Sequence, residues 1–137
     1  MERTLTILKP DAVAGGKTGA ILAHLEKEGF RFLGLRKTRL SPEQAKAFYA
    51  VHRERPFYGA LVTFMTEGPV VVAALERSDA VGHLRRTMGA TDSRKAEPGT
   101  IRNLFGTDIE RNAIHGSDSA ENAAREIAFF FGDAELL

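Results

Sequence analysis

Short apolar runs alternate with segments of helical periodicity along this chain, and the alternation restricts its fold more than any other feature. Apolar runs predict strands over residues 4–9, 30–40, 70–76 and 113–115. Helical spacing predicts helices over residues 18–28, 42–52, 58–66, 79–88 and 120–131. The order strand, helix, strand, helices, strand, helix, strand, helix predicts an α+β fold of the ferredoxin-like (split βαβ) type, a four-stranded antiparallel sheet with helices packed on it.

Residues typical of helix ends and sheet edges support these boundaries. Ser41 with Gln44 three residues later is a typical capping box, and Ser78 and Ser119 are predicted to cap the helices that follow them. Gly29 is predicted to end the first helix. Charges in "RKTRL" at the far end of the second strand are typical of a sheet edge. Residues 90–111 show no period, and a loop of that length is usually functional or disordered.

The stretch "AVAGGKTGAI", residues 12–21, looks at first like a phosphate-binding P-loop. That motif needs a glycine five residues before Gly16, and position 11 holds Asp11, a carboxylate where an anion would have to lie. Gly15 and Gly16 are therefore predicted to form an ordinary turn before a helix.

The amino-acid composition argues against several classes of function. With 19 basic and 18 acidic residues, the net charge of +1 argues against a polybasic nucleic-acid surface. There is no cysteine, which excludes a thiolate nucleophile and a cysteine zinc site. No signal peptide or membrane-length apolar run occurs, so we expect a cytoplasmic protein without a membrane partner. No repeat or linker divides residues 1–137, which predicts a single domain.

A histidine lies where the last strand meets its helix, in "RNAIHGSDSAEN" at residues 111–122. Gly116 allows close backbone approach next to His115. Ser117 and Asp118 supply hydrogen-bonding groups at the turn, and Glu126 lies two helical turns beyond Ser119, within reach of the ring. An imidazole positioned by a hydroxyl and a carboxylate is a plausible nucleophile.

The same segment contains "NAIHGSD", residues 112–118, which resembles the active-site signature of nucleoside diphosphate kinases. The resemblance extends over the whole chain through "TLTILKPDAV", "RPFYGALVTFMTEGPVVVAALE", "EPGTIRNLFG" and "HGSDSAENAAREI". It implies a single nucleoside diphosphate kinase domain over residues 1–137. It also implies an enzyme that transfers the terminal phosphate of a nucleoside triphosphate to a nucleoside diphosphate by a ping-pong mechanism, through a phosphohistidine on His115, with little base specificity.

The resemblance further implies roles for individual residues. Positions that hold phosphates or ribose are matched by Lys9, Tyr49, His52, Arg85, Thr91 and Arg102, and a ribose contact by Asn112. Phe57 matches the residue that stacks on the base, with Leu61 and Ile109 as apolar surroundings, and Ser117 and Glu126 match the groups beside the histidine. Mg²⁺ is expected to arrive with the nucleotide phosphates, because no carboxylate cluster suggests a dedicated cage. Ribo- and deoxyribonucleotides are the expected partners, in a homo-oligomer that is a tetramer or a hexamer.

One departure from the family pattern concerns the long loop, which usually begins Thr-Asn-Pro and here reads Thr91-Asp92-Ser93. Without that proline, we expect subunit contacts to hold the loop. We also expect Ser93→Pro to raise thermal stability slightly.

Two other functions remain open from the residues alone. "EGFRFLGL", residues 28–35, superficially resembles an RNA-binding strand motif, but Glu28, Arg31 and Leu35 depart from it. A catalytically silent nucleotide sensor would carry the same site residues as an enzyme, and only an assay separates the two.

Overall fold

Four strands form one antiparallel sheet in the computed structural model, which describes residues 1–137. The strands are β1 (Glu2–Leu8), β2 (Arg31–Thr38), β3 (Val70–Arg77) and β4 (Ile114–Gly116), in the spatial order β2-β3-β1-β4. All neighbouring pairs are antiparallel. The predicted α+β ferredoxin-like fold is confirmed, and the charged strand β2 lies at a sheet edge as its sequence indicated.

Seven helices connect and cover the strands. They are α1 (Pro10–Ala14), α2 (Thr18–Lys27), α3 (Pro42–Phe48), α4 (Tyr58–Met65), α5 (Ala80–Met88), α6 (Ile101–Phe105) and α7 (Ala120–Phe130). Strands β1 and β3 lie in the middle of the sheet and are buried on both faces. Leu5 and Ile7 face a core that includes Phe48 and Phe130, whereas Leu8 faces a core that includes Leu84. None of the helices combines the length and the apolar character needed to cross a membrane.

Most predicted helix ends agree with the structure. Ser41 and Gln44 form the capping box of α3, and the Ser119 hydroxyl accepts a hydrogen bond from the Asn122 amide at 3.1 Å. Gly29, with a φ of +86°, follows α2. The prediction that Ser78 caps α5 is wrong. The amide of Val81 in the first turn instead donates to the Glu2 carboxylate at 2.8 Å, so β1 supplies the cap.

The segment between α5 and β4, whose sequence shows neither helical nor strand periodicity, is ordered. It contains a short 3-10 turn, Ser93–Lys95, and helix α6, which is capped by the Thr100 hydroxyl. Arg102 donates to the carbonyls of Gly89 and Ile114 at 3.0 and 2.9 Å, and the Ser93 amide donates to the Asp108 carbonyl at 3.2 Å. Bonds within the chain therefore contribute to holding this loop, and the expected subunit contacts stay a prediction.

The glycine-rich stretch is a turn between two helices, α1 and α2. Helix α1 begins at Pro10 directly after β1 and was not predicted. Gly16 has a φ of +74°, which glycine adopts without steric cost. Lys17 is exposed and does not line the cleft that contains His115. The rejection of a P-loop thus agrees with the geometry.

Candidate active site

A cleft of about 460 Å³ opens where β4, α3, α4, α7 and the long loop meet. Of the predicted site residues, the ones that line it are Lys9, Tyr49, His52, Phe57, Leu61, Thr91, Arg102, Ile109, Asn112, His115 and Glu126. Two predicted residues lie outside the lining. Ser117 is buried behind Glu126, and Arg85 is exposed on α5. The sheet and its connections therefore gather side chains from segments far apart in sequence.

His115 is held at the floor of the cleft by its strand and by α7. It lies opposite Ile7 in the pairing of β4 with β1, and its carbonyl accepts from the Thr6 hydroxyl at 2.7 Å. Its Nε2 atom is 2.9 Å from Oε1 of Glu126. The Ser117 hydroxyl donates to the same oxygen at 2.8 Å. The imidazole is thus positioned by a carboxylate and a hydroxyl.

The charge of Glu126 determines the tautomer of this histidine. Burial alone would raise the pKa of Glu126, but the bonds from His115 and Ser117 outweigh it, and the pKa lies below its usual value. An ionised carboxylate only accepts, so Nε2 of His115 carries the hydrogen. Nδ1 makes no hydrogen bond with the protein, so the lone pair of this cleft-lining residue stays available.

Aromatic rings fix the imidazole from the side. The Phe48 centroid lies 5.5 Å from that of His115 at an interplanar angle of 74°, and the Tyr49 centroid lies 6.1 Å away at 88°. Both are edge-to-face contacts of the kind that aromatic rings favour. Phe48 is only 1% exposed, so the ring that supports the histidine belongs to the hydrophobic core.

Two buried cations border the histidine. Lys9, 8% exposed, donates from Nζ to Oδ1 of Asn112 at 2.8 Å. Burial, followed by the nearby charge of Arg102, lowers the pKa of Lys9 to about 8. Burial, followed by the charge of Arg85, lowers the pKa of Arg102 to about 10. The charges of Asp11 and Glu110 oppose the shift at Lys9 without cancelling it, so both cations keep a lowered pKa, as expected of a site that binds an anion.

Further polar groups complete this end of the cleft. The Tyr49 hydroxyl is buried and has no hydrogen-bond partner, and burial raises the pKa of Tyr49. A buried hydroxyl without a partner is unusual in a folded protein. Asn112 donates to the carbonyls of Thr91 and Ile109 at 3.0 and 3.3 Å, which joins the loop to β4.

The outer end of the cleft is apolar. Phe57 is 49% exposed and Ile109 is 60% exposed, although both are large hydrophobic side chains. The His52 ring lies 5.5 Å from that of Phe57, which places His52 beside the aromatic platform. Leu61 also lines this end. One end of the cleft therefore suits a flat aromatic group, and the other suits an anion.

Sequence reasoning did not assign several lining residues to the site. These are Phe48, Val51, Glu110, Asn122 and Arg125, whereas Gly116 and Asp118, which also line the cleft, were expected at the turn after His115. Asn122, Arg125 and Glu126 are three and four residues apart, so helical spacing could have placed them on one face of α7. No group of three or more His, Cys, Asp or Glu side chains is arranged to hold a metal ion.

Known proteins are similar to this chain in sequence and in fold. A family model described as nucleoside diphosphate kinase matches residues 2–136. The nucleoside diphosphate kinase of Acidiphilium cryptum (strain JF-5) is 57% identical over 136 residues, covering 99% of this chain and 97% of that protein. That of Chlorobaculum tepidum is 56% identical over 137 residues, covering 100% of this chain and 98% of that protein.

Two solved structures extend the likeness to three dimensions. The Aquifex aeolicus nucleoside diphosphate kinase matches with a TM-score of 0.97 at 51% identity, covering 99% of each chain. A halophilic nucleoside diphosphate kinase from Halobacterium salinarum, in complex with CDP, matches with a TM-score of 0.94 at 44% identity. The match covers 99% of this chain and 91% of that one.

Proposed function

The chain belongs to the nucleoside diphosphate kinase family, and on that premise we propose that His115 is the residue that carries the phosphoryl group. The enzyme is a phosphotransferase that moves the terminal phosphate of a nucleoside triphosphate to a nucleoside diphosphate by the family's ping-pong histidine mechanism. The observation that supports His115 is its bond from Nε2 to Glu126, which leaves Nδ1 free at the cleft.

The first half-reaction starts at Nδ1. Its lone pair attacks the γ-phosphorus of the nucleoside triphosphate. The bond from that phosphorus to the β–γ bridging oxygen breaks, and the nucleoside diphosphate leaves. The proton on Nε2 stays in the bond to Glu126, whose negative charge stabilises the positive charge on the ring. A second nucleoside diphosphate then attacks the phosphohistidine with its terminal oxygen, and His115 returns to its starting state. Such a covalent intermediate divides one transfer into two in-line steps.

Positively charged and hydroxyl groups would stabilise the transferring phosphoryl group. Lys9 and Arg102 supply charge from buried positions, and the unpartnered Tyr49 hydroxyl supplies a free donor. Donors that are in place before the reaction act most strongly in a site that excludes water. The charge of Arg85, which is exposed on α5, lowers the pKa of Arg102, and this supports a role for Arg85 in stabilising the phosphates.

The base would stack on Phe57, with Asn112 and Thr91 near the sugar. Phe57 offers a ring face, which any base can contact, and little polar readout surrounds it. The relative from Halobacterium salinarum was solved with CDP, a pyrimidine nucleotide. We therefore propose low base selectivity, with ribo- and deoxyribonucleotides both accepted.

We also propose a metal ion, a domain organisation, a cellular location and an oligomeric state. Enzymes of this family use nucleotide phosphates, generally with a divalent metal. Here Mg²⁺ would arrive with those phosphates, where it would neutralise their charge. We propose one kinase domain over residues 1–137, a cytoplasmic location, and a homo-oligomer that is a tetramer or a hexamer. Sizing chromatography over a dilution series would test the oligomer.

The test of His115 is labelling with γ-³²P ATP in the absence of any acceptor. We expect one acid-labile, base-stable label per chain that CDP or GDP removes. His115→Gln should abolish the label, whereas His24→Gln, a control on α2 outside the cleft, should retain it. A labelled His115→Gln protein would overturn the proposal, and a wild type that binds ATP without label would favour the silent sensor.

A further inference from the structure

We propose that Asp11 is a positioning residue for the transfer reaction, because its carboxylate holds the strained turn from which His115 and Asn112 project. The inference rests on the proposed role of His115. Asp11 is the residue that excluded a P-loop, and none of the site roles above includes it. It does not line the cleft, so any effect on the reaction has to pass through other residues.

The turn is unusual in its backbone. Ala113 has a φ of +75°, a conformation that costs a non-glycine residue free energy. The amide of Ile114 donates to the carbonyl of Asn112 at 2.9 Å, which closes a γ-turn around Ala113. The form of this turn with positive φ is rare and strained. It directly precedes β4, and so determines where His115 enters the sheet.

The segment that follows β1 holds this turn from both sides. The Asp11 carboxylate accepts from the amide of Ala113 at 3.1 Å, and the Lys9 amide donates to the carbonyl of Ala113 at 2.8 Å. Both backbone polar groups of the strained residue are therefore bonded to Lys9 and Asp11. The Lys9 side chain also binds the Asn112 side chain. Strained backbone persists only where its surroundings fix it, and here two residues do so.

A purely local role explains Asp11 less well. One carboxylate oxygen accepts from Ala113, and the other is buried without any partner. Burial raises the pKa of Asp11, although bonds from the backbone amides of Ala12 and Ala113 and the charge of Lys9 oppose that shift. A residue needed only to start α1 could keep both oxygens in water. The buried position is explained by the bond to Ala113.

Variants at Asp11 and Ala113 should differ in how much activity they keep or recover. Asp11→Ala removes the acceptor and should lower kcat about 10- to 100-fold, since a misplacement of about 1 Å can cost on the order of 100-fold. Asp11→Asn retains an acceptor oxygen of similar reach and should stay within about 5-fold of wild type. Adding Ala113→Gly to Asp11→Ala should recover at least about 5-fold, because glycine adopts a positive φ without strain.

Rates of phosphohistidine formation from ATP alone, together with hydrogen exchange of the Ala113 amide, provide the test. Asp11→Ala should slow labelling of His115 and speed exchange at Ala113, whereas Asp11→Asn should protect that amide. An Asp11→Ala enzyme with wild-type rate would overturn the proposal, as would a folded double variant with no recovery. If Asp11→Ala does not fold, fast exchange at Ala113 in Asp11→Asn would still contradict it. Exchange at Ala113 needs no catalysis, so failure of the His115 proposal is recognised separately.

Discussion

Replacing Lys9 by methionine should make the stability of the protein respond differently to pH. The pKa of Lys9 falls from 10.5 to about 8 in the fold, chiefly through burial. The unfolded chain therefore binds this proton more tightly than the folded chain does. The resulting penalty on the folded state is full below pH 8, decreases as pH rises from about 8 to 10.5, and is gone above that range.

The magnitude follows from the two pKa values. A tenfold change in proton affinity corresponds to about 1.4 kcal/mol, so the penalty is ~3 kcal/mol at pH 7 and ~2 kcal/mol at pH 9. Lys9→Met removes it. The variant also loses the bond to Asn112. The part of that bond that depends on the charge of Lys9 is already contained in the pKa, and the rest shifts stability by an amount that is constant with pH. The pH dependence of the difference therefore isolates the charge.

Urea unfolding at pH 7, 8 and 9, at one fixed protein concentration, measures this difference. We expect the stability of Lys9→Met relative to wild type to decrease by about 1 kcal/mol from pH 7 to pH 9. Lys17→Met removes an exposed lysine outside the cleft and serves as the control, with a nearly constant difference. A difference for Lys9→Met that stays constant or grows with pH would refute the reasoning.

Three further substitutions test other contacts. Glu126→Gln keeps the size of the side chain but removes its charge, and should slow phosphohistidine formation by about 100-fold in rapid-mixing experiments; a loss below 3-fold would contradict its role. Gly116→Ala places a methyl group about 2.8 Å from Leu84, and should reduce stability in urea unfolding by about 1–3 kcal/mol. Ser93→Pro removes the hydrogen bond from the amide of residue 93 to the Asp108 carbonyl. This loss should cancel, to within about 1 kcal/mol, the stability gained from a more rigid loop. A thermal midpoint that shifts by more than about 6 °C in either direction would contradict this.

The sequence predicted the sheet and the main helices because these elements depend on local signals. Apolar runs mark β1 and β3, and capping residues mark the starts of α3 and α7. Those signals act within a few residues, so a single sequence displays them. The cap of α5 could not be read in this way, because Glu2 provides it from the start of β1, 79 residues away in the chain.

The candidate site likewise contains residues that local sequence patterns predict and residues that only the folded structure reveals. Residues that match a motif, such as His115 and Lys9, were predicted for the site from the sequence, and the structure brings them to one cleft. The γ-turn at Ala113 was not predicted, because alanine gives no sign of a positive φ. Only the bonds that join the Ala113 backbone to the Lys9 amide and the Asp11 carboxylate explain it. Phe48 was missed for a related reason. A phenylalanine in a helix indicates a core position, and its contact with His115 arises only when α3 packs against β4.

The most direct test of the account identifies the nitrogen that carries the phosphoryl group. Protein labelled with ¹⁵N at histidine, treated with ATP and examined under alkaline conditions by phosphorus–nitrogen NMR, distinguishes Nδ1 from Nε2. Because Glu126 engages Nε2 at 2.9 Å, we expect phosphorylation of His115 at Nδ1. Phosphorylation at Nε2, or on another residue, would contradict the assignment of Glu126 as the group that orients the nucleophile.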